Sequence, residues 1–137
     1  MTTDPPKVLL ADDDPAIRPL IAAICKRLGF VCDTAEDGEV ALEKIRSEEY
    51  DVVVLDLMMP KVNGFQVIEV LRELPRRPAV IVLTAQGARQ TEGLADGNVV
   101  HAVIHKPFDL NELMALLVET AQAMRDERQA KFRLTSA

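Results

Sequence analysis

Short apolar runs alternate along this chain with stretches of helical periodicity. "KVLLA" (residues 7 to 11), "FVCDT" (30 to 34), "VVVL" (52 to 55), "AVIVL" (79 to 83) and "HAVIH" (101 to 105) are compact and largely β-branched. Such runs predict strands buried on both faces of a sheet. Between them the apolar positions recur every three or four residues. Ile17, Leu20, Ile21, Ile24 and Leu28 fall on one helix face, and Leu110, Leu113, Met114, Leu117, Ala121 and Met124 fall on another. The ends of these helices carry signals of their own. Asp14 before Pro15 supplies a capping oxygen and a ring preset for the first helical position, and Asp109 with Glu112 resembles a capping box. Gly29 suits a left-handed stop. The pattern predicts five strands alternating with about five helices, hence a parallel sheet covered on both faces: a three-layer α/β/α domain.

One interval is weak. Residues 86 to 98, "QGARQTEGLADGN", hold three glycines and one large apolar residue, Leu94, which predicts a fourth helix that is short, mobile or poorly formed. The closing "MRDERQAKFRLTSA" is mostly polar. The boundaries expected are a disordered N-terminal tail at 1–6, a domain at 7–124, and an extension of the last helix and tail at 125–137.

Length and composition narrow the class. The 137 residues, 48% apolar and 28% charged, suit one soluble globular domain. A net charge of −6 argues against nucleic acid or an anionic membrane as the direct partner. The polar start "MTTDPP" has no leader-like apolar run, and no segment nears the roughly 18 apolar residues of a membrane span, so a cytoplasmic protein is expected. Cys25 and Cys32 match no metal or redox spacing and read as small core residues.

The candidate chemistry lies at the strand ends. In parallel α/β sheets, sites form outside the carboxyl ends of the strands. Asp12 and Asp13 end the first run, Asp56 the third, Thr84 the fourth and Lys106 the fifth, so all five converge on one edge. Two like charges about 4 Å apart repel by about 4 kcal/mol at an effective dielectric of 20, and a cation must offset that. A hard divalent ion suits an all-oxygen cluster, and magnesium, which takes only one or two carboxylates, suits an open one. The cluster lacks the His or Cys pair that zinc favours. A carboxylate beside such an ion, a lysine and a hydroxyl can act as a nucleophile toward phosphorus, and Asp56 is the candidate acceptor.

Four segments carrying these residues, "LLADDDPAIR", "VVVLDLMMPKVNG", "VIVLTAQG" and "HKPF", resemble the signatures of the receiver domain of two-component response regulators. The likeness covers about residues 7 to 124 and is similar to that of the chemotaxis-type single-domain regulators. It implies a flavodoxin-like five-stranded parallel sheet of order 2-1-3-4-5. It also implies that Asp13, Asp56 and the backbone carbonyl of Met58 bind Mg2+ directly, with Asp12 acting through a water. By the same likeness Asp56 would receive phosphate from a sensor histidine kinase or a histidine phosphotransfer protein, Thr84 and Lys106 would contact the phosphoryl oxygens, and the Lys106-Pro107 bond would be cis. Catalysis is then confined to the chain's own phosphorylation and dephosphorylation, and output passes to a downstream protein.

Two departures stand out. Receivers commonly carry an aromatic three residues before the lysine, where this chain has Val103, and the usual Gly-Ala-Asp-Asp approach to the fifth strand is replaced by "DGNVVHAV". They motivate an alternative: a receiver-like interaction module indifferent to phosphorylation. A Mg-dependent phosphohydrolase is disfavoured, because the second Asp such sites place two residues after the nucleophile is Met58 here. Asp14 reads as a cap only, Met58 and Met59 as packing, and His101 and His105 as structural residues of a buried strand.

Overall fold

The computed structural model describes residues 4–85, 87–94 and 99–136. Gln86 and residues 95–98, part of the glycine-bearing interval, lie outside the described residues.

Five strands, β1 (Lys7–Ala11), β2 (Val31–Ala35), β3 (Val52–Leu55), β4 (Ala79–Thr84) and β5 (Val100–His105), form one parallel sheet of order β2-β1-β3-β4-β5. They alternate with α1 (Ile17–Arg27), α2 (Gly38–Ser47), α3 (Gly64–Arg72), α4 (Ala88–Thr91) and α5 (Leu110–Ser136). The period-two geometry of a strand sends alternate residues to opposite faces. Leu9, Val53, Leu55, Val80 and Val82 therefore pack with Ala41, Ile45, Val67 and Leu71 of α2 and α3. Val8, Leu10, Val54, Ile81 and Leu83 pack on the other face with Ile21 and Ile24 of α1 and Leu113 and Leu117 of α5. This is the three-layer, flavodoxin-like arrangement.

The central strands β1, β3 and β4 are buried almost throughout, as continuous apolar runs should be. The edge strands are not. β2 and β5 each have one neighbour, and His101 and His105 are exposed on β5, which corrects the expectation of a strand closed on both faces. An edge strand lacks the second flank that would cover it.

Local signals explain several helix ends. Asn63 and Gln66 make a reciprocal capping box at α3, Asp37 Oδ1 accepts from Val40 N at 2.9 Å at α2, and Asp109 Oδ1 accepts from Glu112 N at 3.1 Å at α5. Gly29 adopts φ +79°, with Phe30 N bonded to Cys25 O at 2.8 Å and Gly29 N to Lys26 O at 3.1 Å, a Schellman stop. Asp14 differs from expectation. α1 begins at Ile17 with Ala16 in the capping position, and Asp14 Oδ1 instead accepts from Ala16 N at 2.8 Å, closing the turn before the helix. α4 has four residues, in keeping with the glycines around it.

At the N-terminus, Pro6 O accepts from Val31 N at 2.9 Å and Asp4 O accepts from Arg125 of the long α5. Among the described residues no helix is long and apolar enough to cross a membrane.

Candidate functional site

The order of winding reverses between β1 and β3, which leaves a crevice beyond their carboxyl ends. Asp12 is fully buried there, and its backbone is fixed from both sides: Asp12 N donates to Ala35 O at 3.1 Å, and Asp12 O accepts from Arg18 Nη1 at 2.8 Å. Asp56 N donates to Ala11 O at 2.9 Å, so the carboxylate after β3 stands beside the pair after β1. One carboxylate oxygen from each of Asp12, Asp13 and Asp56 lies within 4.8 Å of the other two. Asp13 is exposed at the mouth, while Asp56 is only 5% exposed.

Lys106 arrives from the end of β5, its backbone N bonded to Thr84 O at 2.8 Å. Its ammonium donates to Asp12 Oδ2 at 2.9 Å and to Asp56 Oδ2 at 3.4 Å, so its nearer partner is Asp12 rather than the candidate acceptor. Thr84 ends β4 with no exposed surface, and the Lys106-Pro107 bond is cis.

Electrostatics follow from this packing. Burial above all pushes the Asp56 carboxyl up from the ordinary carboxylate range, against the pull of the Met58 N–H and of Lys106, with the charge of Asp12 adding to the push. Burial opposes the charge on Lys106, but the hydrogen bond and charge of Asp12, then those of Asp56, outweigh it and hold the ammonium above its ordinary value. The ammonium bonds two of the three clustered carboxylates, Asp12 and Asp56. An open, all-oxygen cluster with residual negative charge has the donor set of a hard divalent ion, which binds one or two carboxylates and keeps several waters.

The loop after Asp56 is held tightly. Met58 N donates to Asp56 Oδ1 at 3.1 Å, and Gly64 N returns to Leu57 O at 2.9 Å. A Cβ on Gly64 would lie 2.4 Å from Asp56 O, so only glycine permits that return. The Met58 side chain is 56% exposed at the rim, not packed as the sequence suggested, whereas Met59 is buried.

All five residues expected to converge, Asp12, Asp13, Asp56, Thr84 and Lys106, end their strands on this one edge. Sequence reasoning missed Arg18, whose guanidinium ties the first turn of α1 to the Asp12 carbonyl. The available signal was its place one turn beyond the acidic run. Val103 is half-buried against the core on the α2–α3 side of the sheet, where it adds a small apolar surface.

Comparison with known proteins points the same way. The chain is 36% identical over 114 residues to the transcriptional regulatory protein ResD of Bacillus subtilis, covering 82% of this chain but 46% of ResD. It thus spans less than half the length of that relative. The receiver domain of a Francisella response regulator superimposes with a TM-score of 0.77 at 33% identity, over 86% of this chain and 98% of that one. The response regulator TrrA of Thermotoga maritima, solved in complex with Mg(2+)-BeF, gives 0.74 at 31% identity, over 84% and 98%. The family model for the response regulator receiver domain matches residues 8 to 118. Fold, crevice and relatives agree, and this chain belongs to the receiver domain family of two-component response regulators.

Proposed function

We propose that Asp56 accepts a phosphoryl group from the phosphohistidine of a sensor histidine kinase or a histidine phosphotransfer protein, and that phosphorylation switches binding to a downstream protein. The observation that carries this reading is the ammonium of Lys106 set between Asp12 and Asp56, at 2.9 and 3.4 Å, in a crevice with three carboxylates.

The chemistry follows from the residues. The Asp56 carboxylate, oriented by the Met58 N–H, attacks phosphorus. The P–N bond of the donor breaks as the P–O bond forms, and the imidazole departs with a proton. Lys106 exchanges part of its contact with Asp12 for the phosphoryl oxygens, and the Thr84 hydroxyl donates to them. Asp12, Asp13, Asp56 and the Met58 backbone carbonyl are the groups to hold Mg2+, with Asp12 acting through water. When bound, the ion supplies positive charge toward the phosphoryl oxygens. Turnover extends no further than the chain's own phosphorylation and dephosphorylation.

The added charge, about −1.5 to −2, then biases a two-state element. With Val103 in the place of a ring, the movement of Thr84 displaces little side-chain volume on β5. The receiver unit is assigned to residues 7–124, with 1–6 as a tail and 125–137 as an extension of the last helix. A cytoplasmic site of action accords with a histidine-kinase donor. Adding beryllofluoride and Mg2+ to the 15N-labelled chain should shift amides around Asp56, Thr84 and Lys106, and Asp56→Asn should abolish the shifts. An unchanged spectrum for the unaltered chain at saturating Mg2+ would contradict the proposal.

A further inference from the structure

Away from the crevice, two thiols meet. Cys25 lies on the buried face of α1 and has no exposed surface, while Cys32 is the second residue of β2 and half-buried at the sheet's edge. Strand register sets Cys32 beside Val8, whose side chain belongs to the core between the sheet and α1 with α5. Alternation along β2 therefore turns Cys32 toward α1. The Gly29 turn brings the chain back onto the helix end, with Phe30 N held to Cys25 O at 2.8 Å. Both side chains pack into the same apolar core between the sheet and α1.

Their surroundings are unequal. The neighbouring Cys25 thiol lowers the Cys32 thiol first of all, against burial and the charge of Asp33, with the Lys44 ammonium assisting. Lys44 is fixed nearby by its bond to Thr34 O at 2.6 Å, and Cys32 Sγ also approaches Asp33 O at 3.6 Å. The same neighbouring pair of thiols, together with burial, pushes Cys25 up. A partly exposed thiol at the sheet's edge, backed by a fully buried one, is the division between an attacking and a resolving cysteine. Two thiols alone fall short of the four ligands of a structural zinc site.

We propose that Cys25 and Cys32 form a peroxide-responsive dithiol that closes to an intramolecular disulfide, Cys32 attacking and Cys25 resolving. The Cys32 thiolate attacks a peroxide oxygen, the O–O bond breaks, and with one proton taken up the products are Cys32 sulfenic acid and water. The Cys25 sulfur then attacks the sulfenic sulfur. The S–S bond forms, the S–O bond breaks, and the Cys25 proton leaves with the hydroxide as a second water. One hydrogen peroxide is reduced by two electrons and the dithiol is oxidised by two. The product ties the last turn of α1 to the edge strand and leaves the acidic crevice covalently untouched.

The reduced full chain should be treated with hydrogen peroxide under native conditions and digested without reductant. The expected product is a Cys25–Cys32 linked peptide, with a whole-chain loss of two hydrogens that dithiothreitol reverses. Cys25→Ser should stop at a Cys32 sulfenic acid trapped by dimedone. Cys32→Ser should lose its remaining thiol on the order of tenfold more slowly than the unaltered chain loses either. Exposed Met58 provides an internal gauge of the oxidant dose. Should the unaltered chain keep both thiols when Met58 is already sulfoxide, or form only sulfinic acid or intermolecular dimers, the proposal is overturned. Peptide mapping of the unaltered chain decides the matter even where a serine variant fails to fold.

Discussion

At the carboxyl edge of the sheet, Asp12 and Asp56 share the ammonium of Lys106, and Asp13 adds a third carboxylate beside them. Toward the amino edge of the same sheet, a second polar cluster is built from similar residues with a cation against every carboxylate. There Lys7 reaches Glu48 at 2.6 Å and Asp33 at 3.9 Å, and Tyr50 donates to Asp33 Oδ2 at 2.8 Å. Asp51 Oδ2 accepts from Lys7 N at 2.8 Å, and its Oδ1 pairs with Arg128, which also donates to Tyr50 O at 3.2 Å. The carboxyls respond accordingly. Glu48 is held below the ordinary range, first by its hydrogen bond from Lys7, whereas Asp56 is pushed above it, first by burial. Residue type is nearly the same at the two ends, so what separates the clusters is whether each carboxylate has a cationic partner. The amino-edge cluster fastens α5 to the sheet, and the carboxyl-edge cluster holds negative charge that a cation can relieve.

The comparison is sharpened by deleting a carboxylate from each end. Asp51→Ala leaves the Lys7 N–H without its acceptor and the Arg128 guanidinium with Tyr50 O but no carboxylate, and should destabilise the chain by roughly 2–3 kcal/mol in urea unfolding. A loss under about 0.5 kcal/mol, the range of an ordinary surface change, would show that the pairing contributes little. Asp56→Asn should move the other way: in metal-free buffer at neutral pH it removes a like charge from a half-open crevice and should stabilise by about 1 kcal/mol. A destabilised variant under those conditions would remove the contrast between the two ends.

The pH dependence has a definite sign. Asp56 has its folded pKa raised above the unfolded value, so the folded chain binds the proton more tightly. Below the ordinary carboxylate range both states are protonated at this position, and the unaltered chain and Asp56→Asn differ little on this account. As pH rises from that range through the raised folded value, the unaltered chain loses stability relative to the variant, and the deficit is complete above it. Paired urea titrations across that window measure the effect. A smaller change, away from either cluster, serves as a reference: Asn63→Ala removes half of the α3 capping box and should cost roughly 0.5–1 kcal/mol at every pH.

Much of this was legible in the sequence, for physical reasons that also mark where it stops. β1, β3 and β4 read correctly because strands buried on both faces must be continuously apolar, and Asp12, Asp56 and Thr84 stand where those runs end. The convergence of the site needed only the rule that parallel strands share a carboxyl edge. Edge strands lack that constraint, which is why His101 and His105 were misplaced. Contacts between distant positions left no periodic signal: Arg128 meets Asp51 across 77 residues, and Lys106 meets Asp12 across 94. Cys25 and Cys32 are near in sequence, but their apposition depends on strand register and on the Gly29 turn.

The central claim is that the carboxyl-edge cluster is an incomplete charge arrangement, finished by a divalent ion and a phosphoryl group on Asp56. Its most direct test is intact-mass measurement of the chain incubated with acetyl phosphate, with Mg2+ and with chelator, followed by mapping of the modified peptide. The account predicts a gain of one phosphoryl group that requires Mg2+, maps to Asp56 and is absent in Asp56→Asn. No gain at any Mg2+ concentration, or an equal gain in Asp56→Asn, would contradict it.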